Sequence, residues 1–341
     1  MKTSPFKLVT SLAATWFFFG GGTTQAQPKP ADSKEISELR AKADKGDVAA
    51  QGNLGVIYGT GLGVAKDEVQ AVQWYRKAAD QGNAMAQRNL GVMYATGRGV
   101  PKDEVEAVQW YRKAADQGNA AAQGNLGVMY DEGLGVAKDT DEAAKWYRKA
   151  AEQGNAAAQS NLGVMYATGR GVLKDEAEAV QWYRKAADQG YATAQSNLGV
   201  MCAAGRGTQQ DEAEAVQWYR KAADQGHATA QSNLGVMYAG GRGVRKDEVE
   251  AVQWYRKAAD QGNAAAQSNL GVMYATGQGV PKDVTAAYLW FLLASEGEDE
   301  SAKRNSAVLE RKLTPAQREE GQRLAREFKK KQAPPGVKPG L

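Results

Sequence analysis

The chain has 341 residues, with 43 Lys and Arg against 39 Asp and Glu, and its net charge of +4 is spread over interleaved signs that argue against a nucleic-acid footprint or an acidic tail. One cysteine and one histidine rule out a disulfide framework and are too few for a typical zinc site. The apolar 43% is rich in alanine, which suits close helix packing better than a sheet.

Residues 1–26 read as a secretory signal. Lys2 and Lys7 precede the apolar run Leu8 to Phe19, and Thr24-Gln25-Ala26 has the small-x-Ala form of a cleavage site. Cleavage near Ala26 would deliver the mature chain to the periplasm or the medium. As a helix the run covers about 18 Å, short of a hydrocarbon core of about 30 Å, so no permanent membrane span is expected. Residues 27–34 form a Pro-containing linker. Residues 35–45 read as an N-terminal capping helix, a half-repeat with Glu38 where later copies carry Trp.

From residue 46 to 297 one 36-residue pattern recurs seven times, its glycine returning at Gly46, Gly82, Gly118, Gly154, Gly190, Gly226 and Gly262. A fixed period of this length marks a solenoid, in which each repeat buries its apolar face against its neighbours. Each copy holds two amphipathic helices. In the second copy the first helix is apolar at Ala86, Leu90, Met93 and Tyr94, and the second at Ala107, Trp110, Tyr111, Ala114 and Ala115. Asp103 with Glu106 reads as a capping box, and Gly97-x-Gly99 supplies a tight turn between the helices. Residues 298–331 supply two C-terminal capping helices, the second opened by Thr314-Pro315-Ala316-Gln317. Lys329 to Lys331 read as a solvated helix end, and the tail 332–341 is expected to be disordered.

The pattern Leu90-Gly91-x-x-Tyr94-x-x-Gly97-x-Gly99-Val100-x-x-Asp103, continued by Ala107-x-x-Trp110-x-x-x-Ala114-Ala115-x-x-Gly118, resembles the Sel-like repeat (SLR) family, relatives of tetratricopeptide repeats. The resemblance implies an all-α, right-handed α-solenoid superhelix of helix-turn-helix repeats whose first helices line a concave face. It also implies a platform for protein partners. One branch of the family carries cysteine pairs and is linked to β-lactam binding; Cys202 stands alone here, so that activity does not carry over.

No catalytic, cofactor or metal site emerges from the residues. Gly97-x-Gly99 lacks the preceding strand and following Gly-Lys of a phosphate loop. The recurring Ser160, Ser196, Ser232 and Ser268 have no suitably spaced base, and the recurring carboxylates are accounted for as caps. The Trp column from Trp74 to Trp290 is assigned to the core, Gly91 to close helix approach, and His227 to a solvent-exposed variant of the Asn at that position.

What remains is the polar side of the first helices. Gln87/Asn89, Gln123/Asn125 and Gln159/Asn161 recur in every copy, and stacking would make amide ladders that either bind a peptide backbone or join neighbouring repeats. Recognition is expected where copies differ. Met85 and Arg88 stand out in series that are otherwise small, and small residues are expected to leave a groove open. The fifth copy, with Cys202, Thr208 and Gln210 at positions held by Tyr94, Val100 and Lys102, is expected to be a locally weak joint. The function expected is an exported, monomeric, non-catalytic adaptor for a protein or peptide partner. An envelope enzyme, a β-lactam binder or a regulator of one envelope enzyme are the alternatives.

Overall fold

The computed structural model describes residues 33–297 and 300–332. The segment expected to be a secretory signal, most of the expected linker and the residues from 333 on lie outside the described residues. Among those described there are seventeen α-helices and no strand. They form two compact halves, residues 33–189 and 190–332.

In the first half α1 (Ser33–Asp44) precedes four helix pairs: α2 (Val48–Thr60) with α3 (Glu68–Asp80), α4 (Ala84–Thr96) with α5 (Glu104–Asp116), α6 (Ala120–Glu132) with α7 (Thr140–Glu152), and α8 (Ala156–Thr168) with α9 (Glu176–Asp188). The second half holds α10 (Ala192–Ala204) with α11 (Glu212–Asp224), α12 (Ala228–Gly240) with α13 (Glu248–Ala259), and α14 (Ala264–Thr276) with α15 (Val284–Ala294). It closes with α16 (Glu300–Glu310) and α17 (Pro315–Gln332). Within each half consecutive helices up to α15 pack on one another, the arrangement of an α-solenoid, and α16 and α17 each pack on α15.

The helix ends follow from side-chain chemistry. Asn83 Oδ1 accepts from the Ala86 N–H at 2.8 Å, and Asp103 Oδ1 from the Glu106 N–H at 2.9 Å, so both helices of a repeat begin on a capped turn. The capping box is only half made. Asp103 N–H is taken by the Tyr94 carbonyl, and the Glu106 carboxylate instead accepts from Trp110 Nε1 at 2.9 Å. Glu178, Glu214 and Glu250 do the same for Trp182, Trp218 and Trp254. A buried indole N–H needs a partner, and a glutamate one helical turn earlier supplies it. At Thr314 the box is complete: Gln317 N–H donates to Thr314 Oγ1, and Gln317 Oε1 accepts from Thr314 N–H at 3.0 Å.

Each pair is then drawn tight by a glycine. Gly91 is buried in α4, and a Cβ there would lie 2.7 Å from the Tyr111 ring, so only glycine lets α5 seat its tyrosine. Gly127 with Tyr147 and Gly163 with Tyr183 repeat this contact. Tyr111, Leu90 and Met93 are fully buried, and the Trp column is buried from Trp74 to Trp290. Gly99, at φ +68, lies so close to the Glu68 carbonyl that any Cβ would collide with it, which docks this inter-helix turn on the preceding repeat's second helix, and Gly135, Gly171, Gly243 and Gly279 make the same approach.

The ends differ from the middle in the expected direction. The apolar α15 is covered by α16 and α17, with Phe328 edge-on to Trp290 at 5.4 Å between ring centroids. At the other end α1 behaves as a half-repeat: Gln51 Nε2 donates to its Ala43 carbonyl just as Gln87 Nε2 donates to Ala79 in α3.

Candidate functional site

The recurring glutamines are used up inside the array. Gln87 is buried, donates to the Ala79 carbonyl at 3.0 Å and accepts from Gln117 Nε2 at 2.7 Å. Gln123 bonds Ala115 at 3.1 Å and Gln153 at 2.7 Å, and Gln159 bonds Ala151 at 3.0 Å and Gln189 at 2.7 Å. Each such amide ties its own first helix to the second helix of the repeat before it and to the end of its own second helix. The glutamine that completes the ladder, Gln117, follows α5 directly and was not singled out in the sequence; its 30-residue offset from Gln87 is the signal that could have found it.

The asparagines also turn inward. Asn89 hydrogen-bonds the Tyr75 phenol, while Asn125 and Asn161 lie against Tyr111 and Tyr147. Burial pushes the Tyr75 phenol up to about 12, and raises the Tyr111 and Tyr147 phenols well above the ordinary tyrosine value. These phenols stay neutral at any physiological pH.

Met85 and Arg88 are placed differently. Met85 is 64% exposed. Arg88 is half-buried, donates from Nη1 to Asn89 Oδ1 at 2.9 Å and stands near the Tyr111 and Tyr75 phenols; burial lowers its pKa. The expectation that small residues at the Arg88 position line an open groove is corrected: Ser160, Ser196, Ser232 and Ser268 are buried, so that column packs between helices. His227 also departs from expectation. It is half-buried and caps α12, its Nδ1 accepting from the Ala230 N–H at 3.3 Å. Tyr191, at the equivalent position of α10, makes no side-chain cap.

Two further relationships were missed. Arg76, Arg112 and Arg148 each donate to a phenol of the next first helix, Tyr94, Tyr130 and Tyr166, eighteen residues on. Both partners recur in register, which was the available signal. In the third repeat Asp131 replaces an alanine and is fully buried beside Arg170.

Among the described residues no three His, Cys, Asp or Glu side chains are grouped as metal ligands, and no helix is long and apolar enough to cross a membrane. The arrangement offers a packed helical surface with local departures, which is suited to contact with another macromolecule.

The seven copies match the Sel1 repeat over residues 48–83, 84–119, 120–155, 156–191, 192–227, 228–263 and 264–299. A comparison with curated proteins found no match. Among solved structures, a Sel1 repeat protein from Oxalobacter formigenes is 38% identical with a TM-score of 0.63, the match covering 80% of this chain and 78% of that one. A protective antigen present in uropathogenic Escherichia coli strains, displaying an SLR fold, is 31% identical with a TM-score of 0.51, covering 90% of this chain and 91% of that one. With seven consecutive matches spanning most of its length, the chain belongs to the Sel1 repeat family.

Proposed function

We propose that the chain is an exported, non-catalytic scaffold that holds a protein or peptide partner on the face formed by its first helices. Membership of the Sel1 repeat family supports a protein-interaction role. The observation that carries the site is the pair Met85 and Arg88. An exposed methionine costs solvation and adapts to a partner's shape, and it stands three residues from the one arginine in a column of Gly and Ser. The Gln column, bonded within the array, contributes to the partner only by holding that surface rigid. Export rests on the composition of residues 1–26, and the protein is taken to act as a monomer.

The test uses the mature chain from residue 27 to capture a partner from envelope extract, followed by titration of that purified partner. Met85→Ala with Arg88→Ser restores residues found in other repeats, so the fold is retained. Affinity should fall at least ten-fold. Unchanged affinity would remove the site, and turnover of a reporter β-lactam by the pure protein would replace the scaffold reading with an enzymatic one.

A further inference from the structure

The arginines of the first half have an unusual set of partners. Arg40 of α1, Arg76 of α3, Arg112 of α5 and Arg148 of α7 each donate from Nη2 to a tyrosine hydroxyl of the following first helix: Tyr58, Tyr94, Tyr130 and Tyr166. In each, the guanidinium carbon lies 5.6–5.8 Å from the ring centroid. The geometry is thus the same four times, and repeats stacked at a fixed period set the four guanidiniums in a row, one per repeat.

A phenol fixes the direction of a guanidinium without cancelling its charge, and it takes up one of five N–H donors. Among the described residues none of these four arginines enters an ion pair, although Asp80 and Asp116 lie only four residues on from Arg76 and Arg112. The contrast with the arginines of the turns is direct. Arg98 is paired with Glu68 at 2.5 Å and Arg170 with Asp131, both within the protein. Arg40, Arg76 and Arg112 are exposed and Arg148 is half-buried, so the row faces solvent. The lysine beside each of the last three is turned elsewhere: Lys77, Lys113 and Lys149 sit 3.9–4.0 Å over the ring of their own helix's tryptophan.

We propose that this row receives the carboxylates of an acidic, extended segment of the protein partner, one carboxylate per repeat. The proposal rests on the scaffold reading above and names the chemistry of its partner. An arginine already held by a phenol has lost most of its rotamer freedom before the partner arrives, so binding a carboxylate costs less ordering entropy. Its planar fork also matches a carboxylate with two parallel hydrogen bonds. The interleaved aspartates and a net charge of only +4 fit a short acidic segment better than a continuous polyanion.

The experiment is a titration of the full mature chain with a fluorescein-labelled Glu-rich peptide and with the same peptide carrying Gln for Glu, followed by anisotropy. The Glu peptide should bind and weaken steeply with added salt, and the Gln peptide should not bind. Arg76→Gln, Arg112→Gln and Arg148→Gln combined should weaken the Glu peptide at least ten-fold while the thermal transition remains cooperative. Arg112→Gln alone, a milder change to the fold, should weaken it about three-fold, as expected for one salt-linked contact near a surface. Equal binding of the two peptides, or undiminished binding by both folded variants, would overturn the proposal. So would a single-stranded oligonucleotide that binds as tightly as the Glu peptide. A captured partner whose affinity depends on Met85 and Arg88 but ignores the triple variant would leave the scaffold standing and sink only this inference.

Discussion

Arg170 donates to Asp131, thirty-nine residues back, whereas Arg98 and Arg242 at the same position of their repeats reach a glutamate thirty residues back. The reason is local. The residue thirty back from Arg170 is Thr140, where the other two pairs have Glu68 and Glu212, so the arginine turns to a carboxylate that replaces an alanine of the core. Asp131 Oδ2 has no hydrogen-bond partner, which leaves Arg170 as its main compensation.

Removing Arg170 should therefore cost more than removing Asp131. Arg170→Ala strands a buried carboxylate, at about 3–5 kcal/mol. Asp131→Ala restores the residue that is buried at Ala95 and Ala167, and should be close to neutral. Urea melts of the two variants and of the double variant decide this; a larger loss for Asp131→Ala would contradict the pairing as the source of stability.

Gln123→Ala should destabilise the array by about 1–3 kcal/mol, because it removes two hydrogen bonds that join the helices, one to the Ala115 carbonyl and one from Gln153 Nε2, each worth about 0.5–1.5 kcal/mol. The midpoint of chemical unfolding measures it. An unchanged midpoint would mean that the Gln column does not join the repeats.

His227 gives a pH dependence with a definite sign. Its Nδ1 can accept the Ala230 N–H only while the ring is neutral, and burial lowers its pKa from the ordinary 6.5. The unfolded chain then takes up its proton near 6.5 while the folded one does not. Its contribution is complete above about 6.5 and is lost as pH falls from there through the depressed folded value. His227→Asn, which restores the residue found at Asn263, should remove this dependence. Thermal melts of both proteins between pH 8 and 5 would show it, and parallel curves would refute it.

The first helix of the fifth repeat should open before its neighbours. Tyr191 provides no side-chain cap to α10, and a missing cap costs about 1 kcal/mol. Cys202 also stands where Tyr238 and Tyr274 do in the same half. Amide hydrogen exchange should be faster in α10 than in α12 or α14, and Tyr191→Asn should slow it. Equal protection of the three helices would end the idea of a weak element there.

The period, the helix pairs, the Trp core and the turn glycines were legible because each depends on spacing within one helix or on a local φ angle. Trp110, Gly91 and Gly97 are such cases. What sequence could not supply was the partner of a side chain once repeats were stacked. Glu106 looked like the second half of a capping box, yet the indole of Trp110 on the same helix is nearer to hand than the Asp103 N–H, already taken by Tyr94. His227 looked like drift on the surface, but an imidazole nitrogen can do the work of an Asn oxygen at a cap. The Gln column stood open between recognition and joining, and only the geometry of Gln117 against Gln87 shows where its hydrogen bonds go. Met85 and Arg88 were visible as departures, because variation among copies needs no structure to be seen.

The most direct measurement compares two variants against one purified partner. Met85→Ala with Arg88→Ser should weaken the partner at least ten-fold with little change in unfolding midpoint, while Gln123→Ala should lower the midpoint with little change in affinity. The reverse pattern, affinity following Gln123 and ignoring Met85 and Arg88, would contradict the division of labour between residues that build the array and residues that use it.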